Sequence, residues 1–163
     1  MLLIAMLSAL EARHLDVEIA FLSSRLTGVT IYMEQPAYFN DSAERVCRLK
    51  KCLYGLKQAA RLWYQTLHAS LMKQGFQRCA FDVGLYYKCV EWRIVLTTVF
   101  VDDIMIIGNP GSIDAMVANL RTCFALADLG RVSYLLKMEV RYEPGVMLCL
   151  SQAAYIQRML RQF

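Results

Sequence analysis

Between residues 58 and 74 the apolar positions Ala60, Trp63, Tyr64, Leu67, Leu71 and Met72 recur at spacings of three and four. That period predicts a helix with one buried face, closed by Gly75 at its C′ position. Upstream, His14 to Leu22 mixes β-branched and apolar residues in a short run and predicts a strand ended by Ser23-Ser24. Residues 85–101, rich in Tyr, Val, Ile and Thr, and the apolar run Ile104 to Ile107 predict a hairpin with Asp102 and Asp103 at its tip. Asn109-Pro110-Gly111 breaks the chain, after which Ser112 caps a second amphipathic helix on Ile113, Met116, Val117, Leu120 and Phe124, ended by Leu129-Gly130. Residues 133–142 and 146–150 flank the turn Glu143-Pro144-Gly145 and read as another hairpin. Ser151 then caps a last helix with an apolar face on Tyr155, Ile156, Met159, Leu160 and Phe163.

From His14 onward the order is β-α-β-β-α-β, with a strand and a helix appended. The expected fold is therefore α+β: a ferredoxin-like split β-α-β-β-α-β antiparallel sheet with helices on one face, plus a C-terminal hairpin strand and helix. Many unrelated activities share that topology, so it does not fix function. The opening run Met1 to Leu7 is apolar, but Glu11 and Arg13 interrupt it well short of the ~20 residues of a membrane span. No basic residue precedes it, as a signal peptide would require. It reads as a buried helix, and no membrane association is expected.

A length of 163 residues suits one domain that buries a real core. The hydrophobic fraction of 57% and mean hydropathy of +0.34 are high for a free-standing domain, so some apolar surface is expected to be covered by a further segment. Six cysteines are scattered with no Cys-x-x-Cys pair, and only His14 and His68 supply imidazole, which argues against zinc. The thiols read as small hydrophobes suited to a reducing interior. Both histidines read as structural. Net charge is +4, and its distribution says more than its size: residues 46–61 carry Arg48, Lys50, Lys51, Lys57 and Arg61 without one acid, interleaved with Tyr54 and closing near Trp63 and Tyr64. Basic and aromatic residues together suit phosphate backbones and bases.

Asp102 and Asp103 are adjacent acids between apolar strands. Like charges this close repel, and burial disfavours their ionised form. A divalent cation offsets both effects, and Mg²⁺ prefers carboxylates together with phosphates and waters. Asp16, on the predicted first strand, runs beside the hairpin in a split βαβ sheet. Three carboxylates together would hold two metal ions about 3.5–4 Å apart, the arrangement for in-line phosphoryl displacement.

Residues 53–64, Leu-Tyr-Gly-Leu-Lys-Gln-Ala-Ala-Arg-Leu-Trp-Tyr, closely resemble the Leu-Tyr-Gly-Leu-Lys-Gln-Ala-Pro-Arg-x-Trp-Tyr signature of copia-type LTR-retrotransposon reverse transcriptases. The same family has counterparts of residues 16–22 (Asp-Val-Glu-Ile-Ala-Phe-Leu), Ile31 to Pro36, Phe100 to Asp103, Asp128 to Gly130 and Leu150 to Gln152, in this order. The resemblance implies a reverse-transcriptase palm spanning 1–163. Residues 1–29 would form a helix and the first catalytic strand, 30–56 a fingers-like basic segment, 57–130 the palm, and 131–163 a primer-grip-like hairpin and the start of a thumb. It implies an RNA-directed DNA polymerase that uses two Mg²⁺ (or Mn²⁺) ions, held by Asp16, Asp102, Asp103 and the Val17 backbone carbonyl. Phe21 would crowd the sugar 2′ position, while Tyr54, Gly55, Lys57 and Gln58 would meet the template base and incoming nucleotide. Arg48, Lys50, Lys51, Arg61 and Lys137 would contact nucleic acid. The implied partners are an RNA or DNA template-primer and deoxynucleoside triphosphates, with the missing fingers, thumb and RNase H segments of a longer polyprotein. The implied location is intracellular: cytoplasmic, in a virus-like particle for an intact element, or nuclear.

Four positions depart from the family pattern. Ala60 and Val83 replace prolines, Ser24 stands where Asn-Gly normally follows, and Lys137 replaces the glycine of a Leu-Gly-x-Glu segment. A glycine in a hairpin near a ligand often permits a backbone conformation that a side chain forbids. Two readings compete: a polymerase domain from a longer or truncated polyprotein, and an inactive remnant with at most weak nucleic-acid binding. A different two-metal enzyme on a ferredoxin-like palm is a third, opposed by the match over residues 53–64.

Overall fold

The structure, a computed structural model, describes residues 1–39 and 45–162. In chain order the elements are α1 (Leu2–Leu7), β1 (Glu11–Val17), β2 (Tyr32–Glu34), β3 (Val46–Arg48), α2 (Ala59–Lys73), β4 (Gln77–Arg78), β5 (Leu85–Val90), β6 (Arg93–Phe100), β7 (Asp103–Gly108), α3 (Pro110–Arg121), β8 (Leu126–Arg131), β9 (Tyr134–Leu135), β10 (Met138–Glu143), β11 (Met147–Ser151) and α4 (Ala153–Leu160). Short 3₁₀ turns cover Ala20–Ser23 and Ala37–Phe39. The fold is mixed α+β, and no helix among the described residues is long and apolar enough to cross a membrane. The chain divides into two compact units, Met1–Glu18 with Ser70–Phe163, and Ile19–Ala69.

In the first unit an antiparallel sheet runs in the order β4-β5-β6-β7-β1-β8. Alternation gives it two buried faces. Leu15 and Val17 of β1 share one with Ile104 and Ile106 of β7, and on it pack Ile113, Met116, Val117 and Leu120 of α3. The other presents Ala12, Leu96, Met105 and Ile107, covered by Leu2 and Ala5 of α1 and by Val140 of the small sheet β11-β10-β9. Each fully buried Leu or Ile contributes about 1.5–3 kcal/mol, so both faces are held firmly. Helix α1, which precedes the expected β-α-β-β-α-β unit, lies on the face opposite α3, because both sides of β1 and β7 are apolar.

Boundaries moved where turns intervened. The first strand ends at Val17 rather than Leu22, since Ile19 takes a left-handed φ of 51° and a 3₁₀ turn follows. The run 85–101 is two strands, split at Glu91-Trp92, whose φ values of 49° and 64° mark a two-residue hairpin turn. Residues 133–142 split in the same way at Leu136 and Lys137, φ 47° and 66°. Helix α3 ends at Arg121, so Leu129-Gly130 belong to strand β8. Its cap is Asn109, whose Oδ1 accepts from the Ser112 amide at 3.0 Å, with Pro110 in the first turn; Ser112 is inside the helix.

Helix α2 follows the predicted bounds closely, and Gly75 turns the chain at φ 82° with its amide on Met72 O. Its buried stripe is Ala59, Trp63, Leu67 and Leu71, spaced by four; Ala60 and Met72 are exposed and Tyr64 is half-buried. The apolar face of α4, Tyr155, Ile156, Met159 and Leu160, is exposed, and Phe163 lies outside the described residues. Of the six free thiols only Cys52 is buried, so the expectation that most act as core hydrophobes does not hold.

In the second unit β2 and β3 pair antiparallel, with Tyr32 opposite Arg48. The ladder continues through Leu26 N to Lys50 O (3.1 Å), a bridge between Arg25 and Lys51, and Cys52 N to Ser24 O (3.0 Å). Buried Ser24 donates its hydroxyl to Thr66 Oγ1 at 3.0 Å.

Candidate catalytic carboxylates

The antiparallel register of β1 and β7 places Asp16 directly opposite Asp103. Counting by two along each strand, both acids lie on the face of Ala12, Met105 and Ile107, as its last rung. The apolar rungs are covered by α1 and the small sheet; the acidic rung is half-buried. Asp102 occupies the two-residue turn between β6 and β7, and its carbonyl accepts from the Val17 amide at 2.9 Å, which ties the turn to the end of β1. In the same turn Val101 takes φ 58°, a left-handed conformation costly for a β-branched residue. The local fold thus brings Asp16, Asp102 and Asp103 to one edge of the sheet, with Asp103 opening β7 rather than sitting at the hairpin tip.

Electrostatics follow from the crowding. Burial holds the Asp16 carboxyl above its ordinary value, and the charges of Asp102 and then Asp103 push it the same way; His14 opposes them and Glu18 adds slightly. An ionised Asp16 is therefore short of positive charge. His14, expected to be structural, has an Nε2 that donates to Asp103 Oδ1 at 2.8 Å from a nearly buried ring. The signal was present as spacing: position 14 is two residues before Asp16, hence on its face. The partner strand and its register were needed to show the contact.

Among the described residues no three His, Cys, Asp or Glu side chains form a ready-made metal cage. The donor set nonetheless fits a hard divalent cation: all the acids offer oxygen, and the raised Asp16 carboxyl would be relieved by one. Mg²⁺ is commonly held by one or two carboxylates plus substrate phosphates, which needs no closed cage.

Lys137 lies in the β9–β10 turn and lines a cavity of about 540 Å³ with His14, Phe100, Asp103 and Tyr134. Its φ of 66° is the conformation for which glycine is favoured, so the departure noted in the sequence falls on a strained position.

In the second unit Phe21 stacks on Tyr54, ring centroids 4.5 Å apart and tilted by 51°. Gly55 follows at φ 91° with open space where a side chain would be. Arg48, Lys50, Lys51, Lys57 and Arg61 are all exposed, and Gln58 is half-buried. His68 stacks on Tyr64 at 5.8 Å.

A family model described as reverse transcriptase (RNA-dependent DNA polymerase) matches residues 1–163. The chain is similar to the retrovirus-related Pol polyprotein from transposon TNT 1-94 of Nicotiana tabacum, 38% identical over 94% of this chain and 12% of the relative. It is also similar to that from transposon RE1 of Arabidopsis thaliana, 40% identical over 91% of this chain and 10% of the relative. The Pol polyprotein of transposon RE2, also from Arabidopsis, is 44% identical over 60% of this chain and 7% of the relative. The chain spans about a tenth of the length of these relatives.

Proposed function

Because the chain belongs to the reverse transcriptase (RNA-dependent DNA polymerase) family, we propose that it is the palm-bearing part of a copia-like retrotransposon Pol polyprotein, built for nucleotidyl transfer to a primer 3′-hydroxyl. The observation that carries this is the placement of Asp16 opposite Asp103, beside Asp102, with the Asp16 carboxyl raised by burial and by its neighbours' charge. The strand order β6-β7-β1-β8, with α3 between β7 and β8, supports a split β-α-β-β-α-β palm.

Asp16 and Asp102, with Asp103 and the Val17 carbonyl beside them, would hold two Mg²⁺ or Mn²⁺ ions. Ions bound there supply positive charge to activate the hydroxyl and to steady the leaving oxygens of a deoxynucleoside triphosphate. The protein's own contribution is placement. Phe21, braced by Tyr54, offers a flat apolar wall suited to crowding a sugar 2′ position. Gly55 leaves its backbone open to a base or nucleotide, with Lys57 and Gln58 following. Exposed Arg48, Lys50, Lys51 and Arg61 suit template-primer phosphates, as does Lys137.

Mn²⁺ titration of the intact chain, followed by loss of the free-ion paramagnetic resonance signal, tests the site. Weak binding that falls in Asp102→Asn is expected; equal affinity in the two proteins rejects it. Primer extension on an RNA template, run beside the same variant, tests the chemistry.

One observation favours a second reading, a catalytically inactive copy: Lys137 carries a side chain at the left-handed position where the family pattern has glycine, next to the cavity shared with Asp103. Clear metal-dependent extension by this chain removes that reading.

A further inference from the structure

We propose that His14 is a positioning residue for the carboxylate cluster, fixing Asp103 beside Asp16 through its Nε2–H. The inference rests on the reading that these acids hold divalent ions. Asp16 and Asp103 face each other across paired strands, where like charges repel and a free Asp103 side chain gains by rotating away. His14, two residues before Asp16 on the same strand face, meets Asp103 on the diagonal and donates to Oδ1 at 2.8 Å. One oxygen of Asp103 is thus committed to the imidazole, which sets the direction of the other.

A satisfied core histidine would meet the same burial, but it has no need to choose a carboxylate from the cluster. Here the histidine side chain is 11% exposed, against 32% for Asp103. The less accessible group therefore orients the more accessible one. Hydrogen bonds of this kind fix the direction of a metal-binding carboxylate, and their loss typically costs about 10–100-fold in metal affinity.

The test compares Mn²⁺ binding by the whole chain with that of His14→Leu, which keeps the bulk and removes the donor, and His14→Gln, which offers an amide donor at similar reach. Leu should weaken binding about tenfold or more, in the range given above, and Gln should restore most of it. In an Asp103→Asn background His14→Leu should cost nothing further. A folded His14→Leu protein that binds like the parent overturns the proposal, as does a His14→Gln protein as weak as Leu. Absence of Mn²⁺ binding by the parent instead rejects the metal reading, and the positioning role with it. Should His14→Leu fail to fold, the ring N–H resonance of His14 carries the test: it should shift in Asp103→Asn, and an unchanged resonance overturns the pairing.

Discussion

Asp16 and Asp103 stand directly opposite one another across β1 and β7, the one carboxylate pair in register on that face. Because the Asp16 carboxyl is raised by burial and by Asp102 and Asp103, the folded chain binds its proton more tightly than the unfolded chain. Stability contributed by this group is therefore lost as pH rises from the ordinary value of 3.8 through the raised one. Thermal melts without metal should show Asp16→Asn more stable than the parent above that window and equal to it below. Saturating Mn²⁺ should reverse the order at neutral pH. A parent as stable as the variant at neutral pH without metal would contradict the crowding argument.

Lys137→Gly should stabilise the chain by about 1 kcal/mol, the left-handed penalty less the entropy a glycine adds to the unfolded state. For a chain of this size that is roughly a 2–4 °C rise in melting temperature. A fall would mean that the lysine side chain makes contacts worth more than its backbone strain.

Asn109→Ala should cost about 1 kcal/mol, because its side chain caps the Ser112 amide, whereas Ser112→Ala should be close to neutral. Urea denaturation of the two variants decides between them. The reverse ranking would restore Ser112 as the cap expected from sequence.

Replacing Lys50 and Lys51 with alanine should weaken binding to an RNA–DNA duplex regardless of sequence, and lower the slope of log affinity against log salt by up to about 2. Fluorescence anisotropy at several salt concentrations measures both quantities. An unchanged slope would mean that these exposed lysines do not meet phosphates.

Local rules made much of this fold readable. Helix α2 is legible because its apolar period is written within fifteen residues, and its Gly75 terminus because left-handed backbone favours glycine. In α3 the apolar period from Ile113 to Leu120 coincides, residue for residue, with the buried positions. The two-residue turns at Glu91-Trp92 and Leu136-Lys137 are not legible in the sequence, because neither contains the Asn or Gly that normally announces them. The apolar face of α4 is legible from its period, but amphipathicity says only which side is apolar, not whether anything covers it.

The sequence by itself determined the residue types of the candidate site, the family signature over residues 53–64, and the placement of Asp16 on the first strand. Those depend on chemistry and on periods within a single element. Only the tertiary structure decided that Asp103 opposes Asp16, that His14 reaches it on the diagonal, and that Lys137 strains a turn beside them. Strand register joins residues some ninety positions apart, and no local period encodes it: the side-chain alternation of a strand fixes its face, while the partner strand fixes its neighbours.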